Sequence, residues 1–267
     1  HERVTHGVFG YPLHPKELRQ LVVARMQDRY DWEITPKDMI FIPGVVPGFN
    51  LTCQLLTKPG ESLMVQSPVY PPIVTAAEKA GVRNICAELV RQADGSYEVD
   101  FDAFEAAIEA DTRCLIFCNP HNPTGRVWTP EELKRFGDIC LTNNVWIISD
   151  EIHCDLLRNG QVHTPLAKLF PQTDRIITCM APSKTFNMAG MMFSNVIIPD
   201  VALRDGWKAR HYSMDNPLSI AATQAASQYG GEWLKQLKNY LDDNFAFAKE
   251  YLTHHLPAAE FRIPEAT

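Results

Sequence analysis

TRCLIFCNPHNPTGRVWTPEELKRFGDICLTNNVWIISDE, residues 112 to 151, is the stretch on which the fold class turns. It opens on a near-continuous apolar run, 112–120, and closes on another, 145–151. Between them a helix is predicted, with Thr129 as its N-cap, Pro130 in the first helical position and Glu131 and Glu132 in the first turn. Apolar runs without alternation are expected of strands whose two faces are both covered, as in a parallel sheet. The same alternation extends in both directions. Upstream, a helix is predicted over 15–30, a strand over 38–44, a helix over "GVVPGFNLTCQLLT" and a strand over 62–68. A helix follows over "YPPIVTAAEKAG", with Gly81 beyond its end, then a strand over "RNICAELV" and a helix over 100–110. Downstream come the strands "RIITCMAPS" and "SNVIIPD", then helical segments from about 200 to 254. The predicted fold class is α/β, a three-layer sandwich around a mainly parallel central sheet.

The 267 residues are 45% hydrophobic and 21% charged, an ordinary globular balance. A net charge of −7 argues against a nucleic-acid partner, which needs a basic face. No apolar run approaches the ~20 residues of a membrane span, and no leader resembles a signal peptide. Seven cysteines without tight spacing do not form a disulfide framework, and cytoplasmic residence is expected. Zinc binding by Cys118, His121, His153 and Cys154 lacks a CxxC pair to support it, so no metal is expected. The chain starts at His1 and stops in "FRIPEAT", so it is expected to be part of a longer protein.

In open α/β sheets ligands bind beyond the carboxyl ends of the strands. The endings here are "PGVVPG", "SPVY", "CNPHNPTG", "SDEIHC" and "APSK". Asp150 follows a strongly apolar run, and a lone buried carboxylate is costly, so it needs a cation. Lys184 could be that partner in a structural ion pair; a protonated ring nitrogen on a cofactor is the other solution. A lysine for an aldehyde, a carboxylate for a pyridinium and a Gly-containing helix start for a phosphate are the needs of pyridoxal 5'-phosphate.

"NPHNPTGRVWTPEEL", "SDEIHCDL" and "APSKTFNMAG", in this order and at this spacing, resemble the fold type I pyridoxal-phosphate enzymes of the class I/II aminotransferase superfamily. The wording of "HGVFGY", "PGVVPGFN", "SPVYPP" and "SKTFN" is most similar to the cystathionine β-lyase and cysteine-S-conjugate β-lyase branch. The resemblance implies an N-terminal segment near a dimer interface over 1–20, a cofactor-binding large domain over 21–240, and the start of a smaller α+β domain over 241–267. It implies that Lys184 holds the cofactor and moves the Cα proton of an amino-acid substrate, and that Asp150 keeps the ring nitrogen protonated. Asn122 would bond the phenolic oxygen and Tyr70 would stack on the ring. Gly44, Val45 and Val46 would turn backbone N–H groups to the phosphate, with Ser183 adding a hydroxyl. His153 stands where a tyrosine is common, which leaves it divided between the cofactor and the core. Tyr11 matches a tyrosine that reaches the neighbouring subunit's phosphate, implying a homodimer with shared sites; the alternative is a buried hairpin tyrosine. Two places usually held by a phosphate-binding Ser and Arg are Ala181 and Met192. The implied reaction is C–S β-elimination from L-cystathionine or a related conjugate. Alternatives are an aminotransferase and a catalytically silent cofactor-binding regulator.

Overall fold

Residues 112–118 become a strand whose side chains alternate between two apolar layers, the pattern that fixes a sheet covered on both faces. The structure, a computed structural model, describes residues 1–211, 214–258 and 261–266. Its main sheet has seven strands: β1 (Met39–Ile42), β2 (Ser62–Ser67), β3 (Arg83–Glu88), β4 (Thr112–Cys118), β5 (Trp146–Asp150), β6 (Ile176–Met180) and β7 (Ser194–Ile197). Their spatial order is β1-β7-β6-β5-β4-β2-β3. The pairs β2–β3, β2–β4, β4–β5 and β5–β6 are parallel. β7 is antiparallel to both β6 and β1, so β1 points the same way as β6. All the strands but β7 therefore deliver their carboxyl ends to one edge.

The named helices are α1 (Lys16–Tyr30), α2 (Val45–Leu56), α3 (Pro130–Thr142), α4 (Val201–Arg210), α5 (Pro217–Tyr229) and α6 (Gly231–His255). On one face Cys114, Ile116 and Cys118 of β4 share a buried cluster with Val45 and Phe49 of α2 and Trp207 of α4. On the other, Leu115 and Phe117 pack with Leu133 and Phe136 of α3. A third cluster joins Leu18, Val22 and Met26 of α1 and Ile220 of α5 to Met39, Phe41 and Ile197. Each fully buried large side chain contributes roughly 1.5–3 kcal/mol. Trp128 adds a tether, since its Nε1–H donates to the Cys118 carbonyl at 2.9 Å and secures the loop leaving β4.

The helix start at Thr129 forms as expected. The Thr129 hydroxyl accepts from the Glu132 amide at 3.2 Å, and Glu132 accepts from the Thr129 amide at 3.0 Å. Two expected helices are shorter. The one over "YPPIVTAAEKAG" divides into Pro71–Val74 and Ala76–Ala80 at Thr75, whose hydroxyl donates back to the Pro72 carbonyl. The one over 100–110 ends at Ala106, and the Glu109 amide then donates to the Thr112 hydroxyl at 2.9 Å. Lys184, between the segments expected as the last two strands, sits in a one-turn helix, Pro182–Thr185. Of the helical stretch expected from about 200 to 254, residues 212–213 lie outside the described residues. α1 runs unbroken through residue 20 and α6 through residue 240. Among the described residues no helix is long and apolar enough to cross a membrane.

Candidate active site

The strand ends converge on a cleft of about 340 Å³. β1 leads through Gly44 into α2. Gly44 has φ +151° and ψ 158°, a backbone region that side chains resist, and it caps a helix whose first N–H groups have no intrahelical acceptor. Gly48, one turn on, lets α2 approach the sheet: a Cβ there would lie 2.7 Å from Ile42 Cδ1 and 3.1 Å from Val196 Cγ2. The amide end of α2 therefore opens onto the cleft through Gly44, Val45 and Val46, a ready-made anion site.

β2 brings Tyr70, β4 brings Asn122, β5 brings Asp150 and His153, and β6 brings Ser183 and Lys184. Nine of the ten expected site residues thus line this one cleft: Lys184, Asp150, Asn122, Tyr70, Gly44, Val45, Val46, His153 and Ser183. His153 is half-buried in the cleft wall. The tenth, Tyr11, is 90% exposed and lines a different depression with Phe9 and Met214. Tyr11 is thus exposed in this chain and lies outside the cleft. Met192 lines the cleft where the resemblance expects an arginine, and Ala181 is buried.

Asp150 is 5% exposed and its Oδ1 accepts from the Ile152 amide at 3.2 Å. Among the described residues no cation lies within ion-pair distance of it, so the structural ion pair with Lys184 does not form. Burial pushes its carboxyl up to about 7; the Ile152 amide opposes this, the charge of Glu151 adds to it, and Lys184 opposes it weakly from across the cleft. A buried carboxylate short of positive charge, facing an exposed lysine across a cleft with a helix amide end, fits a phosphorylated pyridinium aldehyde.

Several supporting groups lie outside the expected set of site residues. Cys118, at the end of β4, accepts the Asn122 amide at its sulfur at 3.3 Å and fixes the backbone of that asparagine. Glu151 is fully buried beside Asp150. It accepts from the Ser149 hydroxyl at 2.8 Å and the Leu166 amide at 3.0 Å, and lies 2.7 Å from His163 Nε2. Asn119, on the same loop as Asn122, is turned inward and donates to the Thr164 carbonyl. Ile152, Ala189 and Phe193 complete an apolar wall.

The chain belongs to the class I and II aminotransferase family, whose model matches residues 3–265. Cystathionine beta-lyase PatB of Bacillus subtilis (strain 168) is 38% identical over 272 residues, covering 100% of this chain and 70% of the relative. The structure of the PLP-bound C-S lyase from Staphylococcus hominis superposes with a TM-score of 0.96 at 41% identity, covering 100% of this chain and 68% of that one. The structure of cystalysin from Treponema denticola, which contains a pyridoxal 5'-phosphate cofactor, superposes with a TM-score of 0.94 at 33% identity, over 100% of this chain and 69% of that one.

The state of Asp150 gives a test in cofactor-free protein. A carboxyl raised in the folded state binds its proton more tightly there than when unfolded. Its cost is therefore absent below about pH 4, grows as pH rises toward 7 and is complete above that. Asp150→Asn should stabilise the cofactor-free protein, by about 1–3 kcal/mol more at pH 8 than at pH 5. Urea unfolding at both pH values measures it, and equal gains would contradict the buried, raised carboxyl.

Proposed function

We propose that the protein is a pyridoxal-phosphate-dependent C–S β-lyase that cleaves L-cystathionine or related cysteine S-conjugates to a thiol, pyruvate and ammonia. The observation that carries this reading is the meeting of Lys184 and Asp150 on one cleft at the ends of β6 and β5. The preference for elimination over transamination rests on the likeness to PatB and to the Staphylococcus hominis lyase.

When bound, pyridoxal phosphate supplies an electron sink that acidifies the substrate Cα–H bond. Asp150 would keep that sink effective by holding a proton on the ring nitrogen, a positive charge beside its own buried carboxylate. Asn122 would donate to the ring oxygen, and Tyr70 would supply an aromatic face to the ring. The α2 amides at Val45 and Val46, with the Ser183 hydroxyl, would hold the phosphate. Lys184 Nζ would hold the aldehyde and, once a substrate amine has taken its place, would be free to take the Cα proton. The Cβ–S bond breaks with its electron pair leaving on sulfur, which takes up a proton as the thiol. Water adds to the three-carbon fragment to give pyruvate and ammonia. The apolar wall of Ile152, Ala189 and Phe193 limits the water that reaches these atoms.

Borohydride reduction of the holoenzyme should fix the cofactor on the peptide carrying Lys184, and Lys184→Ala should lose both the label and pyruvate formation from L-cystathionine. Pyruvate should appear without any added keto acid. A label on another lysine, or turnover that requires a keto acid, would contradict the lyase reading.

The working unit in this proposal is a homodimer with shared sites, in a cytosolic setting that suits free cysteines. Its support is the exposed apolar N-terminal segment, where Val8, Phe9, Tyr11 and Leu13 are 57%, 52%, 90% and 92% exposed. Met192 stands on the cleft where the resemblance expects a phosphate-binding arginine, and a partner's Tyr11 hydroxyl offsets part of that loss. A hybrid pairing a Tyr11→Phe subunit with a Lys184→Ala subunit separates the cases. Sharing predicts about half of wild-type activity, because both lesions fall on one site. Activity at half that of the Tyr11→Phe homodimer, or a fully active monomer, would overturn it. The readout needs that homodimer to be impaired, as the loss of a hydrogen bond to a charged group, about 1.5–3 kcal/mol, provides.

A further inference from the structure

Asp155, five residues past Asp150, takes no part in the cleft. Its side chain is 4% exposed, yet it is one of the most densely bonded groups in the molecule. Oδ2 accepts from Arg25 Nη2 at 2.5 Å and from the Thr185 hydroxyl at 2.8 Å. Oδ1 accepts from the Tyr30 hydroxyl at 2.8 Å and lies 3.1 Å from Arg29 Nε. Burial pushes this carboxyl up, but Arg25 and Arg29 outweigh it, and the net shift is downward. Asp155 is therefore a fixed anion, held by three side chains of α1.

The fourth contact is the informative one. Thr185 is fully buried and belongs to the one-turn helix Pro182–Thr185, whose third residue is Lys184. Four residues make too short a helix to hold its own shape. Among the described residues, Thr185 to Asp155 is the side-chain hydrogen bond made by that turn. The lysine is thus tied to the segment 150–155, and the same segment presents Asp150 to the cleft. Glu151 locks the start of that segment, its amide donating to the Cys179 carbonyl at 2.9 Å.

We infer that Asp155 is a positioning residue for Lys184: through the Thr185 hydroxyl it sets the turn that aims the lysine amine into the cleft opposite Asp150. The inference rests on the reading of Lys184 as the residue that anchors the cofactor. α1 supplies the foundation, because Arg25 and Tyr30 hold Asp155 from the far side. Arg25 also lies 5.6 Å from the ring of Phe186, the residue that ends the turn.

Removing Asp155 would leave Arg25 without its partner, so Thr185 is the cleaner place to cut. Thr185→Val keeps shape and deletes only the strut; Thr185→Ser keeps the hydroxyl. In the holoenzyme, Thr185→Val should lower kcat about tenfold or more while KM changes less than about twofold. It should also shift the pH midpoint of the cofactor absorbance by about half a unit or more, because the amine sits differently relative to Asp150. The titratable groups that line the cleft with the amine are Asp150, His153, Tyr70 and Cys118, and Asp155, Arg25, Arg29 and Tyr30 bond on the other side of the turn; the substitution changes none of them. Thr185→Ser should restore both readouts to within about twofold and 0.2 unit. Should Thr185→Val not fold, Thr185→Ala carries the same comparison. Wild-type kcat and midpoint in a folded Thr185→Val, or a melting temperature that alone falls and recovers, would reduce Asp155 to a structural pillar and overturn the inference. A borohydride label on a lysine other than Lys184 would instead overturn the reading beneath it, and the inference with it.

Discussion

Two carboxylates sit side by side at the end of β5, both buried, and the fold treats them oppositely. Glu151 is surrounded by the Ser149 hydroxyl, the Leu166 amide and His163, and its bonding capacity is filled inside the protein. Asp150 has a backbone amide and no cation within ion-pair distance among the described residues. Desolvating such a group is costly, and burial pushes its carboxyl up to about 7, so a positive charge brought to it would relieve that cost. The rest of the cleft follows from that constraint. Lys184, the amide end of α2, Asn122 and Tyr70 line the same cleft as the carboxylate.

The sheet order explains how residues so far apart in sequence share one cleft. Because β7 runs against both its neighbours, β1 ends on the same edge as β6, and Gly44 meets Ser183 and Lys184 there. The side-chain period of two then decides who enters the cleft. Ile148 lies in the layer that faces α2, Ile147 in the opposite one, and Asp150 follows Ile148 in phase. A one-residue slip of β5 would send Asp150 into the far core and Ser149 into the cleft. The bond from Asp155 to Thr185 adds a second control, since it couples the end of β5 to the turn after β6.

Much of this was legible in the chain itself. Runs such as 112–118 and 145–150 carry fully covered strands on their face, and Thr129-Pro130-Glu131-Glu132 reads directly as a helix start. The segments after the strands, read together with the family resemblance, supplied nine of the residues that now line the cleft. What escaped was whatever depends on long-range partners. Nothing near Asp155 in sequence announces Arg25 or Tyr30, more than a hundred residues upstream, and "DEIHCDL" reads alike whether that aspartate is exposed or buried. The fate of Asp150 was open for the same reason, because the choice between Lys184 and a cofactor cation is one of distance. Thr75 divided a helix that the apolar spacing made continuous, through one local hydroxyl-to-carbonyl bond.

The central claim is that Asp150 exists to hold a proton on the ring nitrogen of pyridoxal phosphate. The most direct measurement is the ring 15N chemical shift of holoenzyme reconstituted with 15N-labelled cofactor, followed from pH 6 to pH 9. The account predicts a protonated pyridinium signal across that range in the wild type, and a neutral pyridine signal in Asp150→Ala at pH 8. A neutral ring in the wild-type protein at pH 8, or a pyridinium that persists without Asp150, would contradict it.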